Sequence, residues 1–382
     1  MAIIDKKARV SLTRCDDYSL EEVYKKVGQA VDLLGGIGKF VSKGEGVLIK
    51  PNMLSAKPPK KAVQTHPAVV EATVRLVVDA GGVPMIGDSP AIGSLASCLS
   101  KGEFLPVIEK YNVKVLKFDE PVTLNNPEGM FKSFKVAREI TEVDKIINVP
   151  KLKTHGQMVM TMAVKNLFGA VVGARKTQWH LKVGNHPEKF ARMLLDLHYL
   201  INPALSIMDA ITAMEGNGPG SGDPVDLGLI FAGSDASAVD AVAARVVGLD
   251  PSLLYTLAVA KREGMGVADF VDVKVVGERV EEVSVDGFKF PPTGPILGGV
   301  PSVISRIARR TLTPRPVVDH DACIVCGQCI EICSAKAITE SDGRINIDYN
   351  KCIRCFCCQE ICPEGAIQIR TGFFPSLRAK QK

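Results

Sequence analysis

The sequence predicts an α/β protein: a mostly parallel sheet with helices on both faces, followed by a small α+β unit. Three observations carry this reading. Residues 1–290 alternate short apolar segments with amphipathic helical ones, the pattern of repeated βα units. Residues 291–317 are rich in Pro, Gly and Arg and break that pattern. Nine of the 11 cysteines then fall between Cys323 and Cys362. At 382 residues the chain has length for more than one domain, and 46% hydrophobic with 23% charged residues describes an ordinary globular protein.

The elements follow in order. Residues 8–13 pattern as a strand. Ser19 is placed to cap a helix to about residue 34, with Glu22 completing a capping box. Residues 46–50 form a short apolar strand. Residues 67–80 form a helix with Pro67 in its first turn, stopped by Gly81 and Gly82. Strands are predicted at 83–87, 113–118 and 145–149, and an amphipathic helix at 186–201. Apolar strands follow at 205–209 and 227–232, then a small-residue helix at 236–247. Residues 291–317 read as a connector with a short basic helix near 302–310, residues 318–370 as the second unit, and residues 371–382 as a basic tail.

Several function classes are disfavoured at once. Net charge is +5, from 47 basic and 42 acidic residues. With one Trp and six Tyr, that excess is too small and dispersed for nucleic-acid binding. No apolar run reaches the roughly 18 residues of a membrane span. The first residues lack the apolar core of a secretory signal, so a cytoplasmic location is expected.

The second unit repeats itself with a period of 29 residues: Cys323, Cys326, Cys329 and Cys333 align with Cys352, Cys355, Cys358 and Cys362. Bunched, regularly spaced thiols indicate metal in a reducing compartment. The C-x2-C-x2-C-x3-C runs, the second followed by Pro363, resemble two-cluster bacterial ferredoxins. That resemblance implies one 4Fe–4S cluster on Cys323, Cys326, Cys329 and Cys362, and a second on Cys352, Cys355, Cys358 and Cys333. The competing reading is a pair of zinc ribbons, which usually use paired C-x2-C knuckles. Ser334 stands where a Pro usually follows the fourth cysteine. Cys357 is an extra thiol, an alternative ligand or incidental, and Cys15 and Cys98 read as buried thiols.

In open α/β sheets, ligands bind beyond the carboxyl ends of the strands. The predicted strands are followed by Lys50-Pro51-Asn52, by Gly87-Asp88-Ser89-Pro90, by Pro150-Lys151-Leu152-Lys153-Thr154-His155, and by Asp209 and later Glu215. These groups are expected to converge on one cleft. Lys50, Lys151, Lys153 and Lys165 suit an anionic small molecule, with Asn52, Asp88, Ser89 and Asn166 completing the binding set. His155, Asp209, Glu215 and Lys153 are the candidate catalytic groups. His155 suits proton transfer, and Asp88, Asp209 and Glu215 suit substrate positioning, acid–base work or a Mg²⁺ ion. Taken singly, each reads equally as a solvated strand end or a loop. Arg175, Lys176 and His180 read as cleft or as basic surface loop. Met158, Met160 and Met162 read as core. The glycine-rich residues 216–222 read as a ligand-approach loop, a mobile lid or a plain loop.

These phrases, with Lys165-Asn166-Leu167-Phe168-Gly169 and Asp209-Ala210-Ile211, together resemble the uncharacterised iron–sulfur-centre family (domain of unknown function 362) over most of residues 8–370. The resemblance implies a fold and a cluster content but no established reaction. The leading expectation is an oxygen-sensitive, anaerobic oxidoreductase that feeds electrons from two clusters to an anion in the cleft. The rivals are an electron-transfer protein whose α/β unit docks a redox partner, and a non-redox enzyme or binding module with structural or sensing clusters.

Overall fold

β-Branched and aliphatic runs set the strands of the first unit. In chain order they are β1 (Ala8–Arg14), β2 (Gly46–Pro51), β3 (Val83–Gly87), β4 (Lys114–Leu116), β5 (Pro121–Asn125), β6 (Ser133–Ala137), β7 (Lys145–Val149), β8 (Lys151–His155), β9 (Val159–Thr161), β10 (Leu205–Glu215), β11 (Asp223–Gly233) and β12 (Val273–Gly277). The computed structural model describes residues 8–173, 175–292 and 314–370. The basic helix expected near 302–310 and the tail at 371–382 lie outside them.

Ten strands form one sheet, ordered β12-β1-β11-β10-β7-β2-β3-β4, with β8 beside β10 and β9 beside β8. Six pairings within it are parallel and three antiparallel, which makes it the mixed, mostly parallel sheet expected. Both faces are covered. Val47 and Ile49 of β2 point into one core with the helices Leu20–Asp32 and Pro67–Asp79, while Leu48 points into the other with Pro187–Ile201 and Ala236–Val246. Such two-sided burial is why these strands read as continuous apolar runs. Met158, Met160 and Met162 belong to the second core.

Three local readings need correction. Ser19 caps its helix without a side-chain hydrogen bond; instead Asp17 accepts from the Ser19 amide at 2.7 Å. Residues 209–215 do not leave the sheet, because β10 runs on to Glu215 past a bulge between Ala210 and Thr212. Residues 151–155 are likewise a strand. Pro150 interrupts the chain after β7, and β8 then pairs in parallel with β10, Lys151 opposite Asp209.

The cysteine-rich unit has two antiparallel pairs. β13 (Arg315–Val318) pairs with β16 (Ile367–Arg370), and β14 (Ile338–Ser341) pairs with β15 (Arg344–Ile347). Residues 315–317, read as connector, therefore pair with the last strand. The helices Gln328–Glu331 and Cys357–Ile361 begin 29 residues apart, so the sequence repeat is a structural one.

Candidate functional site

The repeat places the cysteines in two sets. Cys323, Cys326, Cys329 and Cys362 line one hollow with Val318, Ile345 and Ile367. Cys358 lies within electrostatic reach of Cys352, Cys355 and Cys333. The amides of Ala337 and Ala366 donate at 3.2 Å to Cys333 and Cys362, the fourth thiol of each run. Left-handed residues recur in register: Val325 and Gly327 in the first loop, Arg354 and Phe356 in the second. Among the described residues, no three His, Cys, Asp or Glu side chains gather round one point as a single ion needs. The first set instead lines a hollow and the fourth thiol of each run accepts from an amide, which fits the donor set of a sulfide-bridged cluster.

The second unit sits on the first through residues 216–222. The Gln359 side chain donates to the Asn217 carbonyl at 2.9 Å, to Asn217 Oδ1 at 3.0 Å and to the Gly218 carbonyl at 3.2 Å. Gly218 N–H donates to Thr154 Oγ1 at 3.2 Å, and a Cβ on Gly218 would collide with the Thr154 carbonyl. The stretch expected as a ligand-approach loop, a lid or a plain loop is thus a loop that seats the cysteine-rich unit.

Between the two units lies a pocket of about 320 Å³. Its polar wall holds Asn52, Asp88, Ser89, Lys153, Lys165 and Asn166 from the expected set, together with Lys176 and His180. Its far wall is Ile332, Cys357, Glu360 and Ile361, interleaved with the thiols Cys333, Cys358 and Cys362. The lip around Leu54, Ala91 and Ile92 is apolar, tied by Leu54 accepting from both amides at 3.1 Å.

The charges in the pocket are predominantly cationic. Lys153 is buried and donates to Asn52 Oδ1 and the Val63 carbonyl, each at 2.7 Å; burial and neighbouring Lys165 hold its ammonium well below the usual lysine value. Lys165 is lowered by burial, with Glu360 opposing. Lys176 donates to Ser89 Oγ at 2.9 Å and to the Val171 carbonyl at 2.6 Å, and burial brings it down to about 7 against the pull of Asp88. Asn166 is fixed by donating to Asn148 Oδ1 at 2.8 Å and accepting from Asn52 at 3.0 Å. Asp240 places both Asn166 and Lys165, because its carboxylate accepts from the Ala163 and Val164 amides that start their short helix.

Other expected groups stand outside this pocket. Lys50 is fully buried behind Asp88, 2.9 Å from Oδ1. A Cβ on Gly169 would collide with both partners, so that glycine lets the pair close. Lys151 is buried against Asp209 at 2.7 Å and donates to Tyr18 Oη at 2.8 Å. Asp209 also accepts from Tyr18 at 2.9 Å and the His66 amide at 2.8 Å. Glu215 faces Lys289, whose ammonium is 3.0 Å away. His155 lies beneath the pocket, its Nδ1 accepting from the Gln157 and Met158 amides. The expected cleft therefore divides, and the Mg²⁺ reading loses its geometry: Asp88, Asp209 and Glu215 are each neutralised by a different lysine.

Sequence reasoning missed Glu360. It stands where Glu331 stands in the first repeat, yet Glu331 is exposed while Glu360 is turned inward against the α/β unit. His155 Nε2 approaches Glu360 Oε1 to 3.1 Å, yet neither atom has a hydrogen-bond partner among the described residues. Burial raises Glu360, and His155 with Lys165 outweighs it, bringing the carboxyl to about 2; burial lowers His155 to about 4.

The domain of unknown function 362 matches residues 47–245, which span the strands and short helices that build the polar wall. A thylakoid-associated protein of Synechocystis is 37% identical over 296 residues, 77% of this chain and 92% of that protein. The chain belongs to this family. Within it, residues 315–363 match a 4Fe–4S dicluster domain, so this member carries a ferredoxin-type iron–sulfur unit. Among solved structures, similarity is reported to a lactate racemase apoprotein from Thermoanaerobacterium thermosaccharolyticum at 14% identity and TM-score 0.37, covering 62% of this chain and 57% of that one. A Thermotoga maritima protein shows 13% identity and TM-score 0.32, covering 56% of this chain and 54% of that one. No described helix is long and apolar enough to cross a membrane.

Proposed function

We propose that the protein is an iron–sulfur oxidoreductase that reduces an anionic small molecule with an apolar body, held between its two units. The observation that carries this is the shared pocket, whose one wall presents Lys153, Lys165 and Lys176 and whose other wall is the segment between cysteines of both sets. When bound to their eight thiolates, two 4Fe–4S clusters supply single electrons. Lys153 and Lys165 bind the anionic group; Asn52, itself held by Asn166, accepts from Lys153 and fixes it. Lys176, with its ammonium near 7, is matched to giving up a proton at neutral pH. The apolar lip takes the uncharged part of the ligand. A reducing, cytoplasmic compartment suits so many thiols.

The test is direct. The full chain is reconstituted anaerobically, reduced with dithionite and mixed with a panel of organic carboxylates and phosphates while cluster absorbance is followed. At least one compound should reoxidise the protein, and Lys153→Ala should slow that reoxidation tenfold or more. Reoxidation only by a second redox protein would replace this reading with that of an electron-transfer protein.

A further inference from the structure

The pocket wall raises a question of charge. Lys165 makes no hydrogen bond or ion pair among the described residues; its nearest aromatic contact is Phe168, with the ring centre 6.0 Å from Nζ. Glu360, whose Oε1 lies 3.1 Å from His155 Nε2, is the acid within its electrostatic reach, but it makes no direct ion pair with Lys165. Lys165 also lies within electrostatic reach of Cys357, the residue before Cys358, and it shares the pocket with Ile332, the residue before Cys333. A half-buried cation without a hydrogen bond or direct ion pair thus faces segments that carry Cys333 and Cys358, two ligands of one set, beside Ile361, which precedes Cys362 of the other.

We propose that Lys165 links occupancy of the pocket to the reduction potential of the cluster held by Cys333, Cys352, Cys355 and Cys358. The inference rests on the reading of the pocket as an anion site. One electron added beside Lys165 is stabilised by its charge, more so in a poorly solvated setting, and net charge is one of the levers on cluster potentials. An anion seated on Lys165 cancels that charge and lowers the potential. By linkage, reduction weakens anion binding by the same factor. The coupling moves no atom and needs no further reactant. Its consequence is that an electron waits at higher potential while the pocket is empty and becomes a stronger reductant once ligand is bound.

Anaerobic redox titration of the reconstituted full chain, read by electron paramagnetic resonance, tests this. Lys165→Met should lower the reduction equilibrium constant of one cluster about tenfold, about 59 mV for a one-electron couple, and leave the other in place. Lys165→Arg should stay near wild type. Inorganic phosphate, with binding followed by calorimetry, should lower the same potential in wild type but not in Lys165→Met. Should the methionine variant fail to assemble clusters, Lys165→Gln takes its place. An unmoved potential in a variant with intact clusters overturns the linkage, as does bound phosphate that leaves the wild-type potential unchanged. If that happens while Lys165→Met weakens phosphate binding, the anion pocket stands and only the linkage falls. If phosphate does not bind wild type at all, the anion reading falls and takes the linkage with it.

Discussion

At the residue scale, the buried lysines divide into those that hold the fold and those that face ligand. Lys151 and Asp209 are both out of contact with solvent, and each satisfies the other at 2.7 Å. Removing one partner strands a buried charge, which costs about 3–5 kcal/mol. Lys151→Met should therefore lower stability by about that amount in denaturant unfolding while leaving anion affinity, measured below the transition, unchanged. A loss of affinity without loss of stability would return Lys151 to the binding set. Lys176 behaves in the opposite way. Its ammonium, brought to about 7 by burial, is the form that attracts an anion, so anion affinity should fall as pH rises from 6 to 8. Calorimetry over that range should show the fall, and Lys176→Met should flatten it. What separates Lys151 from Lys153 is the partner across the sheet, Asp209 for the first and Met214 for the second. That partner was not legible in the sequence, where the two lysines stand two residues apart after Pro150.

At the element scale, the apolar runs made most strands legible, and the spacing of the cysteines made the second unit legible. The polar groups beyond the strand ends were legible as a set and misplaced in part. β10 continues through Asp209 to Glu215 because Met214 and Ala213 are buried and pair with β11, and the acidic Asp209, which reads as a strand end, hid that continuation. The pocket wall at Glu360 was not legible either, since the repeat offers Glu331 and Glu360 on equal terms and only docking turns one of them inward. Gln359 holds that docking. Gln359→Ala should leave the Asn217 and Gly218 acceptors without their donor, at about 1–3 kcal/mol if they stay buried. Hydrogen exchange in residues 216–222 should quicken while the cluster spectrum stays intact. Unchanged exchange there would mean that other contacts carry the interface.

At the scale of the whole molecule, the buried histidines His155, His180 and His198 and the half-buried His66 set how the fold meets acid. His66, His155 and His198 are each brought from 6.5 to about 4, and His180 to about 3, with burial as the first cause in every case. Structure agrees for two of them, because His66 Nδ1 accepts from the Ala68 amide and His155 Nδ1 from two amides, bonds that only the unprotonated nitrogen can accept. The sign follows from proton counts. Between pH 6.5 and 4 the unfolded chain binds these protons and the folded one does not. Their contribution is therefore complete above pH 6.5 and is lost as pH falls toward 4. Each such displacement corresponds to about 3 kcal/mol, and Asp240, raised by burial to about 7, works in the opposite direction, so the net loss is a part of the roughly 5–15 kcal/mol that stabilises a domain. The melting temperature of the reconstituted protein should drop steeply between pH 6 and 4.5, before ordinary carboxylates protonate. His198, whose Nδ1 has no hydrogen-bond partner among the described residues and which does not line the pocket, isolates the effect from ligand binding. His198→Phe should remove about a quarter of the histidines' loss and leave anion binding alone. A melting temperature that stays level from pH 6.5 to 5 would show that the folded protein accommodates charged imidazoles, and that its interior is wetter than its packing indicates.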